Sequence, residues 1–216
     1  ALKCWIAQRR GAICGPVGAY PDKDHLLQEL RAQMDATQTA RPSAIVIGAR
    51  GRVGSGACDL LAGRGIGVTA WDMAETASGG PFPQIMMHQI FINAILAQPG
   101  VPVFVPESAR GPGRELRVIG DVACDPTSDF SPIKAYDRTT TWDRPALRVA
   151  EEPPLDVMAI DNLPSMLPRE SSQDYAAQLL PVLAQLDDIG TGPWGRARGI
   201  FDGHINGHMV AGQERR

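Results

Sequence analysis

Short, continuous apolar runs dominate the middle of the chain. Glycines, prolines and helix-compatible stretches separate them, and the runs are AIVIG (44–48), VTAWD (68–72), IFINAI (90–95), LRVIGDVAC (116–124) and LDVMAID (155–161). Apolar strands without a polar face are typical of a parallel sheet that is covered on both sides. The pattern therefore predicts an α/β fold with a doubly wound, mainly parallel, Rossmann-like sheet.

Helical spacing of apolar residues precedes the first strand. Residues 22–36 carry Leu26, Leu27, Leu30 and Met34 at the helical repeat, which predicts an amphipathic helix. The opening segment ALKCWIAQRRG resembles the end of a helix that is already under way, and no initiator methionine precedes it. We therefore expect residues 1–38 to form a helical connector and the chain to be truncated at its N-terminus.

A second helical segment follows the last apolar run. One face of it carries the apolar residues Tyr175, Leu179, Leu180 and Leu183. Ser171 or Ser172 could cap its N-terminus. No strand is predicted after it. Residues 39–165 are therefore expected to form the Rossmann domain, and residues 166–216 to return to a second, largely missing domain.

A glycine-rich loop joins the first strand to the next helical stretch, predicted over Ala57–Leu61. Its glycines follow a G-x-x-G-x-x-G spacing and are Gly48, Gly51 and Gly54. Such glycines permit a tight turn, close approach of the backbone to a pyrophosphate, and close packing of helix on strand. Amides at the helix N-terminus then attract the phosphates. A purely structural turn is the alternative.

Asp72 favours a dinucleotide as the ligand of the loop. It ends the second strand, 21 residues beyond Gly51, where a carboxylate can accept hydrogen bonds from the hydroxyls of an adenosine ribose. An NADP site more often has an arginine there. Asp72 could also be an ordinary solvated strand end. NAD is the leading ligand, with S-adenosylmethionine and flavin as alternatives.

Composition and charge exclude several classes of partner. The 216 residues are 44% hydrophobic and carry a net charge of -3, without a block of Lys and Arg, so nucleic acid is not expected as a partner. No apolar run approaches the roughly 20 residues of a membrane helix. The four cysteines form no C-x-x-C pair and are expected to be free, buried thiols. These features predict a soluble, cytoplasmic protein with a small-molecule substrate and no membrane partner.

No metal site is predicted. His204 and His208 are four residues apart, which would place two ligands on one helical face, but Gly207 and the polar tail disfavour an ordered helix. Three carboxylates recur every fourth residue, at Asp121, Asp125 and Asp129. Pro126 interrupts any helix there, so we interpret them as strand-end and loop carboxylates.

Two longer motifs identify a family. The segments WDMAETASGGPF (71–82) and IDNLPSMLPRE (160–170), taken with the glycine loop, resemble NAD-dependent, lysine-forming saccharopine dehydrogenases, relatives of alanine dehydrogenase and transhydrogenase. The resemblance runs from about Gly15 to His204. It implies a two-domain enzyme in which NAD oxidises saccharopine at its secondary amine, and hydrolysis of the imine releases lysine and 2-oxoglutarate.

The resemblance also implies the cofactor-binding residues. They are Gly48, Gly51, Arg52, Asp72, Thr76, Leu96, Val122, Ile160, Asp161, Asn162 and Leu163. Gly51 and Arg52 would contact the pyrophosphate, and Asp72 would bind the adenosine ribose. Val122 and the residues from Ile160 to Leu163 would line the nicotinamide half. Leu96 stands where some members have a tyrosine. Val53 and Ala94 stand where some members pair two cysteines, so that disulfide cannot form here.

The catalytic residues of the family have no counterpart in this sequence. The resemblance implies a lysine and a histidine that lie upstream of this chain, and the lysines present, Lys3, Lys23 and Lys134, occur in no matching motif. We therefore expect the chain to supply the NAD-binding part of the enzyme and to be inactive alone. A non-catalytic NAD-binding module and a related amino-acid dehydrogenase of the alanine dehydrogenase type are the alternatives.

Overall fold

A computed structural model describes the backbone of residues 1–213 and the side chains of residues 1–205. Positions 214–216 of the predicted C-terminal segment, and the His208 side chain, lie outside the described part. The chain divides into two compact units, Ala1–Met166 and Leu167–Arg216. The assignment of these regions to a cofactor domain and a returning segment stays a prediction.

The first unit is built on one sheet. In the described residues its strands are β1 (Ser43–Ile47), β2 (Gly67–Trp71), β3 (Ile90–Asn93), β4 (Val118–Asp121), β5 (Leu147–Ala150) and β6 (Leu155–Met158). Their order is β2-β1-β3-β4-β6-β5, and all neighbours are parallel except β5 and β6. The predicted α/β, mainly parallel fold is confirmed. The sequence missed β5, whose residues are all only half-buried and form no apolar run.

Helices cover this sheet. The first unit contains α1 (Leu2–Arg9), α2 (Lys23–Asp35), α3 (Arg52–Ala62), α4 (Met73–Thr76) and α5 (Pro83–Met86). Asp22 caps α2 by accepting the backbone N–H of His25 at 2.9 Å, and Leu26, Leu30 and Met34 are buried as their spacing predicts. The predicted start of α3 was wrong, because the helix begins at Arg52, directly after Gly51, and includes the last glycines of the loop.

The second unit consists of α6 (Pro168–Leu183) and α7 (Gly192–Gln213). The predicted serine cap of α6 was wrong, because the helix begins at Pro168, a residue suited to a first helical position since it has no N–H to leave unpaired. The predicted frayed tail was also wrong, since α7 includes it. The indole N–H of Trp194 donates to the carbonyl of Val182 at 2.7 Å and so ties α7 to α6. None of the helices in the described residues is long and apolar enough to cross a membrane.

The join between β1 and α3 leaves no room for a side chain at two of its glycines. Gly48 has φ +85°, and a Cβ there would lie 2.7 Å from the carbonyl oxygen of Ala94. A Cβ on Gly54 would lie 2.0 Å from the carbonyl oxygen of Gly48. Both positions therefore require glycine, and the second lets the first turn of α3 sit directly on the end of β1.

We expect Gly54→Ala to lower the free energy of unfolding by about 3 kcal/mol, because backbone cannot move aside for the added methyl group as a flexible side chain would. Gly56→Ala is the matched control. It lies in the same helix with open space around its Cβ position, so it should stabilise the chain by about 0.5–1 kcal/mol through helix propensity. Urea unfolding of both variants measures the difference, and equal effects would contradict this account of the loop.

Candidate cofactor site

The predicted cofactor residues lie at one edge of the sheet. Because β2, β1, β3, β4 and β6 run parallel, their carboxyl ends share that edge. Each loop leaving one of these strands carries at least one predicted residue. The strand β2 lies on one side of β1, and β3, the next strand along the chain, lies on its other side. The direction in which strands are added therefore reverses at β1, which makes this position a topological switch point. In open α/β sheets ligands bind at such a point.

The glycine loop presents unpaired backbone donors at the switch point. The N–H of Gly51 donates to the carbonyl of Gly48 at 3.1 Å and closes the turn. No side chain in the described residues caps the first turn of α3, so its N–H groups remain available to an anion. Arg50 and Arg52 are exposed on either side of Gly51. Helix N–H groups and two arginines together suit a pyrophosphate.

Asp72 is held beside this loop. Its carboxylate accepts the backbone N–H of Arg50 at 2.9 Å and that of Met73 at 2.9 Å. These two hydrogen bonds, the one from Arg50 first, lower the pKa of Asp72, so the group is ionised at neutral pH. Glu75 accepts the N–H of Asp72 at 2.7 Å and fixes its backbone. The carboxylate is thus oriented at the end of β2 and keeps lone pairs for further donors.

The next two predicted residues differ in environment. The hydroxyl of Thr76 donates to the carbonyl of Asp72 at 3.1 Å, so it supports the turn that carries Asp72. Leu96 is 81% exposed in the loop after β3. The neighbouring Ile95 packs against the glycine loop, because its Cγ2 atom lies 3.1 Å from the position that a Cβ on Gly48 would occupy. An exposed leucine here gives the edge an apolar surface.

The remaining predicted residues follow β4 and β6. The N–H of Val122 donates to the carbonyl of Asn93 at 3.0 Å, which continues the β3–β4 pairing past the strand ends. Ile160 is buried and forms a bridge with Thr140, whereas Asp161 and Asn162 are exposed. Asn162 has φ +60°, which turns the chain away from the sheet. Leu163 begins the short 3₁₀ helix Leu163–Met166.

A buried polar network at this edge was missed from the sequence. The Asp121 carboxylate accepts the Asn93 amide at 2.9 Å, the Tyr136 hydroxyl at 2.6 Å and the N–H of Ala123 at 3.1 Å. The interpretation of Asp121 as a simple strand-end carboxylate was incomplete, because its exposure is 1%. The sequence did contain an indication of this network, because the apolar strands IFIN and VIGD each end in a polar residue. These two residues, Asn93 and Asp121, are opposite each other in the β3–β4 pairing.

Other candidate groups lie elsewhere or are absent. The four cysteines are free, as predicted, but only Cys4 is fully buried. Lys3 donates to Glu29 at 2.7 Å and thereby links α1 to α2, away from the glycine loop. Among the side chains that the structure describes, no three His, Cys, Asp or Glu residues are grouped to hold a metal ion.

Curated proteins of known name resemble most of this chain. No protein-family model matches it. A saccharopine dehydrogenase (NAD(+), L-lysine-forming) of Neurospora crassa is 44% identical over 94% of this chain and 58% of its own length. Those of Schizosaccharomyces pombe and Candida albicans are each 40% identical, over 82% and 88% of this chain and 50% and 52% of their own lengths. The chain thus spans about half the length of the curated relatives it matches. The predicted resemblance is confirmed: over most of its length, this chain is related to the NAD(+)-dependent, L-lysine-forming saccharopine dehydrogenases.

Proposed function

We propose that this chain is the NAD-binding part of an oxidoreductase that oxidises saccharopine at its secondary amine and releases L-lysine and 2-oxoglutarate. The observation that carries the proposal is the position of the predicted cofactor residues at the carboxyl ends of five neighbouring parallel strands. They surround a loop in which Gly48 and Gly54 cannot accept a Cβ. The names of the relatives supply the reaction. A small-molecule substrate and a cytoplasmic location stay predictions from the sequence.

The residues of the chain fit a dinucleotide. The Gly48–Gly54 contact holds the start of α3 against the end of β1, and the uncapped N–H groups of α3 would donate to a phosphate. Asp72 would accept the ribose hydroxyls, and Leu96 would exclude water from the face of the cofactor. Val122 and Asp161 would lie along the nicotinamide half. When bound, NAD(+) supplies the hydride acceptor, while these residues orient it.

Replacing Asp72 by serine tests the cofactor preference. Serine can still cap α4, so the local fold is kept while the negative charge that opposes a 2′-phosphate is lost. We expect wild-type protein to bind NADH more tightly than NADPH. In the variant, the ratio of the NADPH to the NADH dissociation constant should fall by about tenfold, as removal of one neighbouring charge predicts. Fluorescence titration with both nucleotides gives the ratio.

Glu75→Gln is the matched control for that experiment. It removes a carboxylate one turn away but keeps an oxygen that can accept the N–H of Asp72. If the preference depends on contact of Asp72 with the ribose, this control should leave the ratio within about twofold, since exposed charges in water interact weakly. An equal shift in both variants would show a general charge effect, and tighter binding of NADPH by the wild type would contradict the role of Asp72.

The chain alone should bind NADH without oxidising saccharopine. Hydride removal from an amine needs a base, and imine hydrolysis needs an acid–base group. The three lysines of the chain, Lys3, Lys23 and Lys134, lie outside the predicted cofactor motifs. We expect no formation of NADH above background, with the full-length Neurospora crassa relative as the positive control. Sustained turnover would show that this chain contains the substrate-handling groups, whereas binding without turnover also fits a non-catalytic NAD-binding module.

A non-catalytic module is distinguished by adding the part of a relative that this chain does not match. If the chain belongs to an enzyme, addition of the remaining half of a relative, expressed separately or as a fusion, should give NAD-dependent oxidation of saccharopine. A module would bind NADH but stay inactive in every such combination.

A further inference from the structure

Two of the four cysteines are neighbours in the folded chain. Cys4 lies on the buried face of α1 with 1% exposure, and Cys14 is half-buried in the segment after that helix. Both are free thiols, and a hydrogen bond joins their side chains. Thiol–disulfide exchange requires one sulfur to reach another. The pair therefore meets the first condition for a disulfide between α1 and the segment that follows it.

Backbone contacts bring Cys14 back to α1. The N–H of Ala12 donates to the carbonyl of Ala7 at 3.0 Å, the hydrogen bond of a helix that ends in a glycine turn, and the chain reverses there. Beyond Cys14, the N–H of Val17 donates to the carbonyl of Trp142 at 2.9 Å and anchors the returning segment on the sheet unit. Cys14 is thus held beside α1 by backbone hydrogen bonds on both sides of it.

Solvent reaches the two sulfurs differently. Cys14 lines an open cavity of about 210 Å³ between α1, α2 and the returning segment, whereas Cys4 is not among the residues that line it. Arg10 lines the same cavity, and its guanidinium donates to the carbonyl of Gln33 at 3.3 Å, which keeps a positive charge beside the opening. A small molecule can therefore reach Cys14 while Cys4 is covered, and the arginine favours an anionic molecule.

The hydrogen bond makes the covered sulfur the stronger nucleophile. By donating to Cys4, the Cys14 thiol lowers the pKa of Cys4 despite the burial of that residue. The same hydrogen bond, followed by burial, raises the pKa of Cys14, which keeps its proton. Thiolates, not thiols, attack disulfides. The accessible sulfur and the nucleophilic sulfur therefore belong to different residues, and a group attached to Cys14 would lie within reach of Cys4.

We propose that Cys4 and Cys14 form a reversible disulfide, with a small anionic disulfide such as oxidised glutathione as the oxidant. Cys14 passes its proton to Cys4 and attacks the oxidant, which forms a mixed disulfide and releases one glutathione thiolate. Cys4 then loses that proton to solvent and attacks the Cys14 sulfur, which releases the second glutathione thiolate. Both released thiolates take up protons from solvent. Two protein thiols are oxidised and one glutathione disulfide is reduced to two thiols, so electrons and protons balance.

The experiment is disulfide mapping of the whole chain. Reduced protein is incubated with oxidised glutathione, the remaining thiols are alkylated, and tryptic peptides are identified by mass spectrometry. Trypsin cleaves after Arg9 and Arg10, so Cys4 and Cys14 fall on separate peptides. We expect these two peptides to be cross-linked, with little retained glutathione, and to separate again in dithiothreitol. Lasting glutathione on Cys14, a cross-link to another cysteine, or retention of both free thiols would overturn the inference.

Two single variants separate the roles of the sulfurs. In Cys4→Ala the resolving thiol is lost, so one glutathione should remain attached to Cys14. Cys14→Ser keeps a hydroxyl that can donate to Cys4 but removes the accessible thiol. Cys4 should then react at least about tenfold more slowly than Cys14 does in the wild type, because burial makes a cysteine inert. Equal retention of glutathione by the wild type and Cys4→Ala would show that Cys4 does not resolve the mixed disulfide.

Cys58→Ala controls for a general effect of losing a thiol. Cys58 is half-buried like Cys14 but lies on α3, so its loss should leave the cross-link and its rate unchanged, and loss of the cross-link in this variant would overturn the inference. Circular dichroism checks the fold of each variant. If Cys4→Ala does not fold, the wild-type peptide map and Cys14→Ser still decide the result, since fast reaction of Cys4 in Cys14→Ser would contradict its inaccessibility. No step involves NAD, so failure would leave the proposed function intact.

Discussion

The close approach of α3 to the end of β1 is the constraint on which the candidate site depends. With no side chain on Gly54, the helix can rest against the carbonyl of Gly48, so its first N–H groups face the carboxyl edge. The same turn allows the carbonyl of Trp71 to accept the N–H groups of both Gly48 and Ala49 at 3.0 Å. The end of β2 is therefore held against the loop, and Asp72 reaches the N–H of Arg50. One backbone contact thus orders the two elements predicted to bind the adenosine diphosphate part of the cofactor.

Charge is distributed unevenly along this edge. At the switch point, the N-terminus of α3 and the exposed Arg50 and Arg52 give a positive region. Beside it, after β2, lies Asp72, whose pKa is lowered by its hydrogen bonds from backbone N–H groups. A dinucleotide would match this arrangement, with its anionic pyrophosphate at the positive region and its ribose hydroxyls at the carboxylate. The fit supports a dinucleotide more specifically than the glycines do, because glycine turns also occur where no ligand binds.

Much of the fold was predictable from local patterns. The parallel strands are continuous apolar runs, and α2 has a clear helical repeat with Asp22 as its cap. The errors share a physical reason, which is that local preference was outweighed by context. Glycines are poor helix formers, yet Gly54 lies inside α3 because its packing on the end of β1 leaves no room for a Cβ. The strand β5 is half-buried and antiparallel, and it pairs with β6 through a contact that only the folded chain provides.

The sequence by itself determined the order of the five parallel strands along the chain, the glycine spacing, the acidic residue after β2 and the resemblance to a family. Those features are local, because they depend on residue type and short spacing. Only the tertiary structure decided that Asn93, Asp121 and Tyr136 meet in one buried network, since up to 43 residues separate them along the chain. Whether a carboxyl group is exposed to solvent or buried depends on which strands pair and which elements cover them. For that reason the sequence could place Asp121 at a strand end, but only the fold buries its side chain among three hydrogen-bond donors.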